Sequence, residues 1–105
     1  RWMPRTATLR LRGPDSAGQR LRIEGFCPQR QVTPAPLFLT VTVDGVRMPP
    51  SRIARGDAGF TFEYPMPAQT VGRPDVSIRL EVDRVFVDAG DGREMGLVFG
   101  SFAIR

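Results

Sequence analysis

Hydrophobic residues recur at every second position along most of the chain, which is the period of a β-strand. The clearest case is Asp75–Ala89, the longest stretch without glycine or proline. A helix would instead need apolar residues at a spacing of about 3.6. The sequence therefore predicts a strand with one buried and one exposed face. The residues expected inside are Val76, Ile78, Leu80 and Val82, and those expected outside include Arg79 and Glu81.

Other short segments alternate in the same way, and 11 glycines and 10 prolines separate them. Because these residues cost helix interiors about 1 to 3 kcal/mol each, we expect no helix longer than about two turns. The apolar positions of these segments are Ala7, Leu9 and Leu11; Leu21 and Ile23; Leu37, Leu39, Val41 and Val43; and Phe60, Phe62 and Tyr64. The pattern predicts an all-β fold, an antiparallel two-sheet sandwich, jelly-roll-like, with about seven or eight strands.

Several connections carry turn signals. Asp44-Gly45 is a strong signal for a tight hairpin, because a primed turn needs positive φ. We interpret 13–18 as a longer hairpin loop and 56–59 as another turn. Gly100 interrupts an apolar segment, and the alternation slips by one between Asp83 and Val85, so we expect a β-bulge at each place.

The length of 105 residues fits a single domain, residues 1–105. The chain opens with Arg1 rather than Met, and we interpret it as a piece of a longer protein. No apolar run approaches the length of about 18 residues that a membrane span needs, so we expect no direct membrane insertion.

The composition argues against most catalytic chemistry. The chain has no His and no Lys, which excludes Ser-His, Cys-His and Schiff-base mechanisms. Cys27 is the only cysteine, so no intrachain disulfide can form, and we expect its side chain to act as a small apolar group. We therefore expect the isolated domain not to be an enzyme and to need no cofactor.

The formal net charge is +4, and all 15 basic residues are arginines. They are spread along the chain and mostly alternate with apolar residues, which places them on solvated faces of sheets. A nucleic-acid site would need several of them on one face beside exposed aromatic residues. We therefore predict no nucleic-acid partner.

Three acidic residues, Asp88, Asp91 and Glu94, lie close together in a glycine-containing segment. Clustered carboxylates on a turn are typical of calcium sites. The ligand order of an EF-hand is absent, however, and Arg93 competes for the carboxylates. The alternative is a turn held by an Asp–Arg pair and by bonds from side chains to the backbone. We favour this alternative and predict no metal site.

Among the nine aromatic residues, Trp2 and Tyr64 combine an apolar ring with a polar group. They are our candidates for contact with a sugar ring. The alternative is that Trp2 covers one end of the core.

The segment 85–99 contains a strand ending near Phe86, a polar loop, Asp91-Gly92-Arg93-Glu94-Met95-Gly96 and a last strand. It resembles a pattern in small bacterial β-sandwich modules fused to glycosyltransferases, methyltransferases and membrane mannosyltransferases of surface-polysaccharide assembly. The order of the other predicted strands is similar along nearly the whole chain. Two features depart from the pattern: Met95 stands where leucine is usual, and Ala89-Gly90 where the loop commonly has a proline.

The resemblance implies a carbohydrate-binding-like fold and a place beside glycan chemistry. It implies that Asp91 and Arg93, together with Asp88, structure the loop before the last strand. The expected partners are a glycan or the catalytic domain of the parent chain, with a cytoplasmic location as part of a larger bacterial protein. The other function that we consider is a ligand-free structural or protein-interaction sandwich.

Overall fold

The chain folds into short β-strands joined by turns and loops. A computed structural model describes residues 5–27, 32, 35–54, 56, 58–87, 94, 95 and 97–105. The only helix among these residues is a 3₁₀ turn, Ala68–Thr70. The predicted all-β class is thus confirmed. The strands are β1 Thr6–Leu11, β2 Arg20–Phe26, β3 Leu37–Val43, β4 Val46–Arg47, β5 Ser51–Ile53, β6 Gly59–Pro65, β7 Val76–Val82, β8 Phe86–Val87, β9 Glu94–Met95 and β10 Val98–Ile104.

Eight of these strands form two antiparallel sheets, as the sequence predicts. The five-stranded sheet has the order β1-β7-β3-β4, and β5 also pairs with β3. The three-stranded sheet has the order β10-β2-β6, and β8 and β9 form a separate ribbon. Strands β1, β3 and β7 lie in the large sheet, whereas β2, β6 and β10 lie in the small one. The chain therefore passes repeatedly between the two sheets of a β-sandwich.

The core lies between the sheets and is densest over β3 and β7. Their alternate residues are fully or almost fully buried: Leu37, Leu39, Val41 and Val43 on β3, and Val76, Ile78, Leu80 and Val82 on β7. Arg79 and Glu81 are exposed on the opposite face. The predicted register of β7 is confirmed. A shift of one residue would place charged side chains in this core.

Aromatic rings fill the inner face of the small sheet. Phe60 and Phe62 stack with ring centroids 5.3 Å apart, and Phe99 meets Phe60 edge-on at 6.1 Å. On the strand between them, Gly25 lies opposite Phe60. A Cβ at Gly25 would lie 2.5 Å from the Phe60 ring, so the glycine leaves the space that this ring needs.

The hairpin at Asp44-Gly45 is confirmed. Both residues have positive φ, 46° and 84°, as a primed two-residue turn requires. The Asp44 carboxylate also accepts a hydrogen bond from the Ser77 backbone N–H at 2.8 Å, which attaches the turn to the first residues of β7. The bulge near Gly100 is confirmed as well, because the pairing of β10 with β2 shifts between Phe99 and Ser101.

Two turn predictions are wrong. The loop 13–18 is no hairpin, because β1 pairs with β7 and the loop carries the chain across to the other sheet. Gly13 instead donates a backbone hydrogen bond to the Arg73 carbonyl at 2.9 Å. The phase slip after Asp83 is no bulge either, since β7 ends at Val82 and the chain bends at Asp83.

Candidate functional site

The outer face of the five-stranded sheet carries a groove of about 630 Å³. It lies over the first part of β3 and the end of β7. The residue before β1 bounds one side, and the segment from β4 to β5 bounds the other. The lining residues are Arg5, Phe38, Thr40, Arg47, Pro50, Glu81, Val82 and Asp83.

The floor of the groove follows from the alternation of β3. Leu37 and Leu39 point into the core, so Phe38 points out and is 40% exposed. Thr40 has the same phase but is only 9% exposed, because it lies between neighbouring strands at the base of the groove. Glu81 is its direct partner on β7. The floor thus places an aromatic ring beside a hydroxyl and a carboxylate.

Hydrogen bonds to the backbone hold one wall of the groove in place. The Oδ1 atom of Asp83 accepts a hydrogen bond from the Phe38 N–H at 3.0 Å, and the Asp83 N–H donates to the Phe38 carbonyl at 3.3 Å. The Arg5 guanidinium donates to the Asp83 carbonyl at 3.2 Å. These contacts fix the backbone at Phe38, so a ligand would meet a preformed surface.

The charged groups of the groove do not neutralise one another. The ion pairs among the described residues join Arg10 to Asp75, Arg22 to Glu24, and Arg73 to Asp44, all away from this floor. Glu81 and Arg47 therefore keep their hydrogen-bonding capacity for a ligand. Together they offer several N–H donors and several acceptor sites.

Tyr64 does not lie at the groove. It is only 5% exposed, on the inner face of β6, and its hydroxyl is 2.6 Å from the Ser51 Oγ atom on β5. Burial raises the pKa of Tyr64, and the hydrogen bond with Ser51 partly offsets this effect. The ring has no free face for a sugar, so its position gives no support to the predicted carbohydrate contact. Tyr64 instead joins the two sheets.

The other predicted site residues, Trp2, Asp88, Asp91 and Arg93, lie outside the described residues. Their predicted roles in sugar contact and in loop structure stay predictions. Cys27 is fully buried. Within the described ranges no group of three or more His, Cys, Asp or Glu side chains is placed to hold a metal ion. No helix in those ranges is long and apolar enough to cross a membrane.

A second exposed aromatic residue lies on the opposite side of the sandwich. Phe26, at the end of β2, is 48% exposed on the outer face of the small sheet. On the same face Arg22 and Ser101 donate hydrogen bonds to the Glu24 carboxylate, at 3.1 Å each. The hydrogen bond from Arg22, and to a smaller extent the one from Ser101, lowers the pKa of Glu24. The Glu24 carboxylate is thus already engaged, unlike Glu81 in the groove.

A smaller groove of about 350 Å³ lies where the end of β1 approaches β10. Among the described residues that line it, the one aromatic residue is Phe102, which is half-buried and packs against Phe99 with ring centroids 5.1 Å apart. It offers no open ring face, so the groove at Phe38 is the better candidate for a binding site.

Phe38 is not among the sequence-based candidates, which are the aromatic residues that carry a polar group. The signal was present in the alternation, since Phe38 has the phase of Thr40 and Thr42 rather than that of Leu37 and Leu39. An aromatic residue in the polar phase of a strand marks an exposed ring. Comparison of the chain with family models, with curated proteins and with solved structures gave no match.

Proposed function

We propose that this chain is a non-catalytic module that binds a glycan in the groove on the five-stranded sheet. The observation that carries the proposal is the exposed Phe38 ring beside unpaired donors and acceptors. The resemblance of segment 85–99 to modules of surface-polysaccharide enzymes supports a role as the accessory part of a bacterial glycosyltransferase or a similar enzyme.

The chemistry of a sugar matches this surface. A pyranose ring has an apolar C–H face, which packs on an aromatic ring, and a rim of hydroxyls that donate and accept hydrogen bonds. In the groove, Phe38 provides the apolar surface, Arg47 provides donors and Glu81 provides acceptors. The volume of about 630 Å³ falls within the range of about 300 to 1,000 Å³ for small-molecule sites.

A binding role fits this groove better than catalysis. The chain has no His and no Lys. The carboxylate of Asp83 is committed to the Phe38 backbone and holds the wall. Glu81, two residues before Asp83, also lines this groove. The groove is open to solvent, whereas charged groups act most strongly in a closed cleft.

The two exposed phenylalanines allow a matched test. Phe38→Ala removes the ring from the groove, whereas Phe26→Ala removes a ring of similar exposure from the opposite sheet. The wild-type domain is first screened against an array of bacterial surface glycans, and affinities for the best ligand are then measured by calorimetry. Phe38→Ala should weaken binding by about two- to tenfold, because an aromatic contact contributes about 0.5 to 1.5 kcal/mol beyond the buried area.

Phe26→Ala should bind like the wild type, since its ring is outside the groove. If Phe38→Ala also binds like the wild type, the groove is not the glycan site. If no glycan in the array binds the wild-type domain, glycan binding itself is refuted.

One observation favours the alternative of a protein-interaction domain. Strands β1 and β10 each pair with one strand among the described residues, and their core-facing side chains Leu11 and Ile104 are only half-buried. Such an edge can be covered by another protein surface. This alternative predicts that the domain binds the catalytic domain of the parent chain when the two are mixed, and that Phe38→Ala does not change that affinity.

A further inference from the structure

Two arginines lie on either side of a small residue on the outer face of the large sheet. Thr42 on β3 has Arg47 as its direct partner on β4 and Arg79 as its direct partner on β7. Adjacent strands lie about 4.8 Å apart, so the two arginine backbones are about 10 Å apart. Both arginine side chains are exposed, and the Thr42 side chain between them is short and half-buried.

Neither guanidinium has a partner among the described residues. The ion pairs of these residues involve Arg10, Arg22 and Arg73 instead. Glu81 is the nearest acidic residue along β7, two positions from Arg79 on the same face, and it forms no ion pair with either arginine. Two positive charges therefore flank Thr42 without a counterion from the described part of the protein.

This arginine pair continues the groove. Arg47 lines the groove, and Thr42 follows Thr40, which forms its floor, on the same face of β3. A ligand that packs on Phe38 and extends along β3 would reach the space between Arg47 and Arg79. Guanidinium groups bind carboxylate and phosphate through paired, parallel hydrogen bonds, which are stronger than bonds between neutral groups.

We infer that the glycan of this groove is acidic, and that its carboxylate or phosphate group lies over Thr42 between Arg47 and Arg79. This inference rests on the proposed function and specifies its ligand class. Phe38 contacts the sugar ring, and the arginine pair selects the anionic substituent.

The test compares matched ligands at low ionic strength. Each oligosaccharide of a panel is prepared in a neutral form, with uronic acid residues, and with a phosphate monoester. The acidic forms should bind the wild-type domain about tenfold or more tightly than the neutral form, because hydrogen bonds to charged groups exceed neutral ones by that order. The carboxylate and phosphate arms show which group the pair prefers.

The double variant Arg47→Gln/Arg79→Gln should lose this preference. It should bind the acidic and the neutral forms with about equal affinity, although the loss of the Arg47 guanidinium weakens both. The matched control is Arg12→Gln/Arg20→Gln, which removes the same charge from exposed arginines outside the groove. It should keep the preference. All four positions are exposed, so the melting temperatures of both variants should stay close to that of the wild type.

Equal affinity for neutral and acidic forms overturns the inference and leaves the proposed function standing. A preference for acidic forms that survives in Arg47→Gln/Arg79→Gln also overturns the inference and leaves the proposed function standing. If no form of any glycan binds, both proposals fail. A single-stranded DNA oligomer serves as a polyanion of another class. If it binds through the same arginines more tightly than every acidic glycan, the ligand class is wrong.

Discussion

Gly13 lies where two loops meet, and the structure predicts that Gly13→Ala destabilises the fold. A Cβ at this position would lie 2.5 Å from the Thr70 carbonyl oxygen and 2.7 Å from the Arg73 carbonyl oxygen. Both distances are far below a normal van der Waals contact. Because both neighbours are backbone atoms, no flexible side chain can move away to make room.

The size of the destabilisation by Gly13→Ala follows from the contacts that join the two loops. Gly13 donates a hydrogen bond to the Arg73 carbonyl at 2.9 Å, and Gly72 donates one to the Pro14 carbonyl at 2.8 Å. If the loops separate, these bonds are lost at about 0.5 to 1.5 kcal/mol each. If the loops stay together, overpacking costs about 1 to 3 kcal/mol. Either response lowers the free energy of unfolding by about 1 to 3 kcal/mol.

Thermal melts and urea unfolding would measure the effect. A loss of 1 kcal/mol lowers the melting temperature by about 4 to 8 °C in a domain of about 60 to 100 residues. The control is Gly59→Ala, because a Cβ at Gly59 meets nothing within 4 Å. Gly59→Ala should change stability little. If the two variants are equally stable, the contact between the loops at Gly13 and Gly72 does not constrain the fold.

Two further variants test the groove wall and the bond between the sheets. Asp83→Ala should lower the free energy of unfolding by about 0.5 to 1.5 kcal/mol and speed hydrogen exchange at the Phe38 amide. Asp83→Asn retains the acceptor oxygen and should lose less; equal losses would contradict the role of the Oδ1 bond. Burial raises the pKa of Tyr64. The neutral Tyr64 side chain therefore contributes fully to the free energy of unfolding below a pH of about 10, and this contribution is lost as the pH rises through the pKa of the folded state. Urea unfolding at several alkaline pH values should show this loss, and Tyr64→Phe should abolish it; a loss that persists in Tyr64→Phe would have another cause.

Local patterns predicted the strands well. The Asp44-Gly45 turn depends on the φ angles of two adjacent residues, which the residue types themselves favour. The face of β7 that is buried depends only on the alternation around Arg79 and Glu81. Both features are encoded within a few residues, so they could be read without knowledge of the partner strands.

Strand partners could not be predicted in the same way, because pairing joins residues far apart in the chain. The glycines and the proline of loop 13–18 suit a hairpin as well as a crossover. The crossover is accompanied by the contact of Gly13 with Arg73, which lies far away in the chain and so appears in no local pattern. The same limit applies to Arg47 and Arg79, whose common neighbour Thr42 becomes visible only when both strand pairings are known.

The groove at Phe38 was not predicted from the sequence, for a physical reason. The polar group of Tyr64 suits contact with a sugar, but in the structure it bonds with Ser51 inside the sandwich. Phe38 has no polar group, yet its phase in β3 places it outside. In a strand the phase of an aromatic residue decides its exposure more directly than its chemistry does.

Binding of a glycan at the groove around Phe38 can be observed residue by residue. The most direct measurement is a two-dimensional NMR titration of the isotope-labelled domain with an oligosaccharide that the array identifies. We expect the largest shifts at the amides of Phe38, Thr40, Glu81 and Asp83, with little change at Phe26 on the opposite sheet. Shifts centred on Phe26 or on β10, or no saturable shift with any glycan tested, would contradict the proposed site.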